Sequence, residues 1–189
     1  MASPAREQID ALPRTLERFP PDGVLWAGPD SPARAADYLR ETLNEMEIPI
    51  KLAESGHTLD LGDGATLSVL SAGNRGAILL IEWDHFRALL PLGAHEDDYE
   101  SLRMGRDIDD ITVLLLADNG YAPLNPLEWI NNLNPQLVLL SVASDDPTGL
   151  PDRETLDALG GYSLLRTDQH GWIYIATDGD KIWVEVEGK

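Results

Sequence analysis

Two stretches, residues 111–117 and 137–142, are almost wholly aliphatic. A strand with one wet face alternates apolar and polar side chains; one without alternation is covered on both faces. These two runs therefore predict central strands of a layered sheet. Turn-forming residues punctuate the chain on either side of them. Gly62-Asp63-Gly64, Trp83-Asp84 and Asp178-Gly179-Asp180 each sit between short strand-like segments and read as tight turns between antiparallel partners.

The remaining elements follow from periodicity. Strands are expected at 24–27, 50–52, 58–61, 65–70, 76–82, 85–90, 162–166, 171–177 and 181–187. Ser31-Pro32 opens a helix whose apolar face is Ala35, Leu39, Leu43 and Met46. An acidic helix is expected over 97–104, with Glu96, Asp97 and Asp98 forming a first turn that the helix dipole favours. Asn125-Pro126-Leu127-Glu128 has the form of a capping box before a helix carrying Trp129, Ile130 and Leu133. A last helix starts at Pro151 and stops at Gly160-Gly161. The reading is one mixed α/β domain over residues 1–189, its sheets largely antiparallel and its outer faces covered by helices.

Composition excludes several functions. Lys and Arg number 14 against 33 Asp and Glu, a formal charge of −19, so phosphate-backbone binding by a basic face is not expected. Lys51, Arg75, Arg87 and Arg153 stand isolated among carboxylates. No run of about 18 apolar residues marks a membrane span, and the first residues lack the apolar stretch of a signal peptide. The absence of cysteine removes disulfides and thiolate chemistry. His57, His85, His95 and His170 show no HxH, HxxxH or HExxH spacing, so each reads as a surface or satisfied histidine.

No GxGxxG or GxSxG occurs. Asp107-Ile108-Asp109-Asp110 lacks calcium-loop spacing and reads as a solvated loop. Asp145-Asp146-Pro147-Thr148-Gly149 reads as a side-chain-stabilised turn. The five tryptophans fall on separate elements, as packing residues rather than a base-stacking platform.

Four stretches carry a family resemblance. They are residues 59–70 (DLGDG with the following strand), residues 77–93, residues 134–142 and residues 165–179 (RTDQHG and TDG). In that order they resemble the metallo-β-lactamase-like domain of ComEC, the DNA-uptake protein family of competent bacteria. The resemblance implies an αββα fold, here N-terminally incomplete, because residues 2–13 align with the family's first metal motif, "THPHADHIGGLP". The intact family version is expected to be a metal-dependent nuclease.

The implied ligand positions do not carry ligands. The motif's first two histidines fall at Ser3 and Ala5, its aspartate at Glu7 and its last histidine at Gln8. The bridging aspartate falls at Ala94, the histidine of the "HHGS" loop at Asp118 or Asn119, and that of the "GHP" motif at Leu150. Such a hydrolase lowers the pKa of metal-bound water and needs imidazole and carboxylate ligands to do so. The resemblance therefore implies a catalytically inactive relative with no metal or other cofactor and no catalytic residue. Its role would be structural or interactive, in the soluble part of a bacterial membrane protein associated with DNA uptake. Asp145, Asp146 and Asn119 would rim the residual cleft. The alternative is a hydrolase using a divalent site built from Glu7, Asp118 and Asp145 or Asp146. Partners are expected to be upstream segments of a parent protein or a second copy meeting an exposed sheet edge, with neither nucleic acid binding nor membrane insertion by this segment alone.

Overall fold

The computed structural model describes residues 12–28 and 34–187. Its elements, in chain order, begin with α1 (Leu12–Arg18), β1 (Val24–Trp26), α2 (Arg34–Glu45) and β2 (Ile50–Leu52). Four consecutive strands follow: β3 (Thr58–Gly62), β4 (Ala65–Gly73), β5 (Gly76–Trp83) and β6 (Phe86–Leu92). Strands then alternate with helices: α3 (Glu96–Ser101), β7 (Val113–Leu115), α4 (Leu127–Leu133), β8 (Leu137–Leu140), α5 (Arg153–Ala158) and β9 (Leu164–Arg166). The single turn α6 (Thr167–His170) leads to the hairpin β10 (Ile173–Thr177) and β11 (Ile182–Val186).

Strands β3 to β9 form one seven-stranded sheet in sequential order. The β3–β4, β4–β5 and β5–β6 pairs are antiparallel, as the tight turns dictate. The β6–β7, β7–β8 and β8–β9 pairs are parallel, each joined by a crossover containing a helix. With β1 and β2 parallel and β10 and β11 antiparallel, parallel pairs equal antiparallel ones. The antiparallel ladders are nevertheless the longer ones, in keeping with the expected mixed, largely antiparallel sheets. Connections containing a helix cannot be hairpins, and the second half of the sheet has only such connections.

The two faces of the large sheet are covered differently. Ile78, Leu80, Leu89, Leu114, Val138 and Leu140 point to one side, where Tyr99 of α3, Trp129, Ile130 and Leu133 of α4, and Leu159 beyond α5 seal them. Fully burying each such side chain stabilises by about 1.5–3 kcal/mol. On the other side, Ala88, Val113 and Leu137 meet Ile175 and Ile182 of the hairpin. Further along that face, Leu25 and Ala27 adjoin Leu67, Leu79 and Leu92. The β1–β2 pair turns its opposite side, Val24, Trp26 and Ile50, toward Leu39 and Leu43 of α2 and Leu12 and Leu16 of α1. The layer order is thus helix, small sheets, large sheet, helix. This mixed α/β architecture agrees with the expected class.

Several local expectations shift. Helix α1 has no counterpart among the expected elements, and Ser31-Pro32, the expected start of α2, lies outside the described residues. The acidic helix begins one residue early because His95 caps it, with Asp98 accepting from the His95 N–H to complete the capping box. It ends at Ser101, before a left-handed turn at Arg103 and Met104. The last crossover helix starts at Arg153 rather than Pro151. The N-cap of α4 is Pro126, without a side-chain cap; Asn125 is used elsewhere. None of the described helices is long and apolar enough to cross a membrane.

Candidate functional site

Parallel strands joined on one side deliver all their C-terminal ends to one edge, which is where open α/β sheets gather functional loops. Ala94 follows β6, Asp118 and Asn119 follow β7, and Asp145, Asp146 and Leu150 lie between β8 and α5. The β4–β5 turn carrying Arg75 reaches the same edge, because Gly76 pairs at the level of Leu92 through the Ala77–Leu92 register. Ser3, Ala5, Glu7 and Gln8 fall outside the described residues.

The approach between the β4–β5 turn and the strand end after β6 is unusually close. A Cβ on Gly93 (φ 82°) would overlap the Arg75 carbonyl oxygen, and one on Gly76 would overlap the Leu92 carbonyl. Two glycines thus let backbone lie on backbone beside Ala94, which is 1% exposed and packed into the main core.

From that turn Arg75 reaches the loop after β7, where its Nη2 donates to Asp118 Oδ2 at 2.7 Å. Asp118 (φ 44°), Asn119 (φ 54°) and Gly120 (φ 85°) are left-handed in succession. Such a run is held only when its surroundings over-determine it. Asn125 is one such constraint: its Oδ1 accepts from the Ala117 N–H at 2.9 Å, and its Nδ2 donates to the carbonyls of Ala117 at 3.0 Å and Tyr121 at 2.8 Å. Thr155 Oγ1 donates to the Gly120 carbonyl at 2.8 Å, and the Asp152 N–H donates to the same oxygen at 3.2 Å. The Asp152 carboxylate accepts from the Ala122 N–H at 2.7 Å. Pro151, joined to Leu150, packs on Gly120 so tightly that any Cβ there would lie 2.7 Å from its own. The loops carrying Asp118 and Leu150 are therefore stitched together.

Neighbouring polar groups are already committed. Asp98 accepts from Ser71 Oγ on one oxygen and from the His95 N–H at 2.7 Å on the other. Tyr99, 2% exposed, donates to the Leu124 carbonyl at 2.6 Å and stacks at a tilt on Trp129 with centroids 4.6 Å apart. Burial pushes its phenol pKa up, and the charges of Asp98 and Asp118 push the same way. Asp146 accepts from the Thr148 hydroxyl and N–H, which hold its pKa below the usual carboxylate value. Asp145 and Asn119 are exposed, and Leu150 is half-buried.

Whether this edge suits the metal that the resemblance implies is a question of donors. Asp118 faces a guanidinium, Ala94 and Leu150 offer hydrocarbon, and Asp98 and Asp146 are turned to local hydrogen bonds. Among the described residues no group of three or more His, Cys, Asp or Glu side chains could hold a metal ion. The residues at this edge do not fit a two-metal centre.

Arg75, Asn125, Ser71 and Asp98 are the residues the sequence did not point to. Arg75, a cation isolated among carboxylates in the sequence, pairs across 43 positions. Arg87 pairs with Glu82 at 3.1 Å and Arg153 with Asp157 at 3.6 Å, each likewise with a carboxylate. At the end of β9, Arg166 grips Asp168 through Nε at 3.0 Å and Nη2 at 2.6 Å. Thr167 Oγ1 bridges the N–H and carbonyl of Val142. This is the RTD motif, and its work here is to tie the ends of β8 and β9 together.

No family model matches this sequence. No curated protein matches it either. Among solved structures it is similar to a Thermotoga maritima protein described as a proposed Zn-dependent hydrolase of the metallo-beta-lactamase superfamily, at 14% identity and a TM-score of 0.31. The match covers 49% of this chain and 49% of that one, so the chain spans about half the length of that protein.

Proposed function

We propose that this chain is a non-catalytic module of the metallo-β-lactamase fold, related to the ComEC domain, with a structural or interaction role in a DNA-uptake assembly at a bacterial membrane. The observation that carries this reading is the Arg75–Asp118 pair: the one acidic side chain at a described ligand position is neutralised by a guanidinium. A cation supplied by the chain itself satisfies that carboxylate, and a divalent ion would first have to displace it. The layer order and the succession of motifs support the fold assignment. The formal charge of −19 favours a protein partner over direct contact with DNA.

Hydrolysis assays test it. The purified chain, supplied separately with Zn²⁺, Mn²⁺ and Mg²⁺, is offered single-stranded DNA, double-stranded DNA and a chromogenic phosphodiester. No metal-dependent turnover above buffer is expected. Turnover that Asp118→Asn abolishes would overturn the proposal.

A further inference from the structure

The hairpin β10–β11 ends in a strand with one neighbour. Its ladder aligns Tyr174 with Glu185 and Ala176 with Trp183. The Glu187 N–H donates to the Trp172 carbonyl at 3.0 Å, which fixes the phase of the ladder. Residues 183, 185 and 187 therefore turn their amides toward β10, and the N–H and C=O groups of Ile182, Val184 and Val186 point outward. Among the described residues no second strand meets them. Trp183, Val184 and Val186 are 51%, 39% and 36% exposed. The strand contains no proline and no bulge, two of the devices that ordinarily blunt an edge.

We propose that two copies of this chain pair through β11, antiparallel about a two-fold axis at Val184, forming a continuous four-stranded sheet. Charge and hydrogen-bond phase select this occupant and this register. Centring on Val184 matches every outward amide within the strand: Val184 with its own counterpart, and Ile182 with the partner subunit's Val186. It also sets Lys181 opposite the partner subunit's Glu187, and Trp183 opposite the partner subunit's Glu185. Two-fold symmetry repeats each pair, so the strand is complementary to itself. Centring on Glu185 would place that carboxylate against its own copy. Centring on Trp183 would pair Val186 with Asp180, outside the strand. The face of β11 opposite its aromatic side brings Val184 against its own counterpart and Val186 against the partner subunit's Ile182.

Light scattering across a wide concentration range reads the outcome. The expected mass rises from 20.7 kDa toward twice that value. Glu187→Lys sets lysines opposite one another at both ends and is expected to weaken the dimer roughly tenfold. Adding Lys181→Glu restores opposite charges and the original affinity. Val184→Pro deletes the outward N–H on the axis while leaving the bonds to β10, and is expected to give a monomer. Should Val184→Pro fail to fold, the charge exchange decides alone. A chain that stays monomeric throughout, or a dimer indifferent to Glu187→Lys, overturns the proposal, as does a double variant that fails to recover.

Discussion

Arg75 Nη2 sits 2.7 Å from Asp118 Oδ2, joining the β4–β5 turn to the loop after β7 at the edge where the parallel strands end. Its side chains are 50% and 32% exposed, so water screens the pair substantially. Its consequence lies in chemistry more than in stability. A carboxylate that would otherwise be open to a divalent cation is already paired with a cation tethered to the same chain.

Arg75→Ala is accordingly expected to change unfolding free energy by no more than about 1 kcal/mol, as for other exposed pairs. Urea denaturation measures it. A loss above about 2 kcal/mol would mean that the pair, rather than Asn125, holds the Asp118 loop in place.

Asn125→Ala should be far more damaging. It strips the partner from the N–H of buried Ala117 and removes one of two donors from each of the Ala117 and Tyr121 carbonyls, which keep the Gly120 and Leu124 N–H groups. Leaving that one buried N–H unsatisfied and losing two further hydrogen bonds costs about 2–4 kcal/mol in total. The same urea experiment checks this, and a loss below about 1 kcal/mol would contradict the assigned role.

That contrast also marks what a reader of the sequence could reach. The aliphatic runs around Val113 and Val138, the turns at Asp63, Asp84 and Gly179, and the helix carrying Leu39 and Leu43 were all legible. Hydrophobic period and turn chemistry are local properties. Asn125 was misread because Asn-Pro-x-Glu satisfies a local capping pattern, whereas its buried side chain answers a non-local demand from the Asp118 turn. Arg75 could not be assigned to Asp118 because nothing local says which loops meet at a sheet edge. Helix α1 has no local signature, because its Leu12 and Leu16 acquire a face only when β1 and α2 are packed beside them. Ser3, Ala5, Glu7 and Gln8 lie outside the described residues.

Two glycines separate backbone conformation from backbone contact. Gly93→Ala drives a Cβ into the Arg75 carbonyl oxygen at φ 82°, whereas Gly62→Ala, at φ 90°, meets nothing within 4 Å. The first is expected to cost more than about 3 kcal/mol and the second about 1 kcal/mol. Thermal denaturation of both variants compares them, and equal losses would show that Arg75 and Gly93 are not in contact.

Acid should loosen the junction between β8 and β9. The bidentate hydrogen bonds from Arg166, with burial opposing, hold the Asp168 carboxyl below its usual value. A depressed folded-state pKa gives stability that is present above the unfolded value of about 3.9 and is lost as pH falls through the folded one. Arg166→Gln is therefore expected to destabilise the chain at pH 7 and to make less difference at pH 2–3. Urea midpoints at the two pH values measure this; an equal penalty at both would mean that the contribution of Arg166 is packing rather than charge.

Metal stoichiometry bears most directly on the inert cleft. The chain is incubated with excess Zn²⁺ or Mn²⁺, freed of unbound ion by gel filtration and analysed by mass spectrometry of the elements. Well below one ion per chain is expected, for Asp118→Asn and the unaltered chain alike. One or two ions retained per chain, and lost on Asp118→Asn, would contradict it.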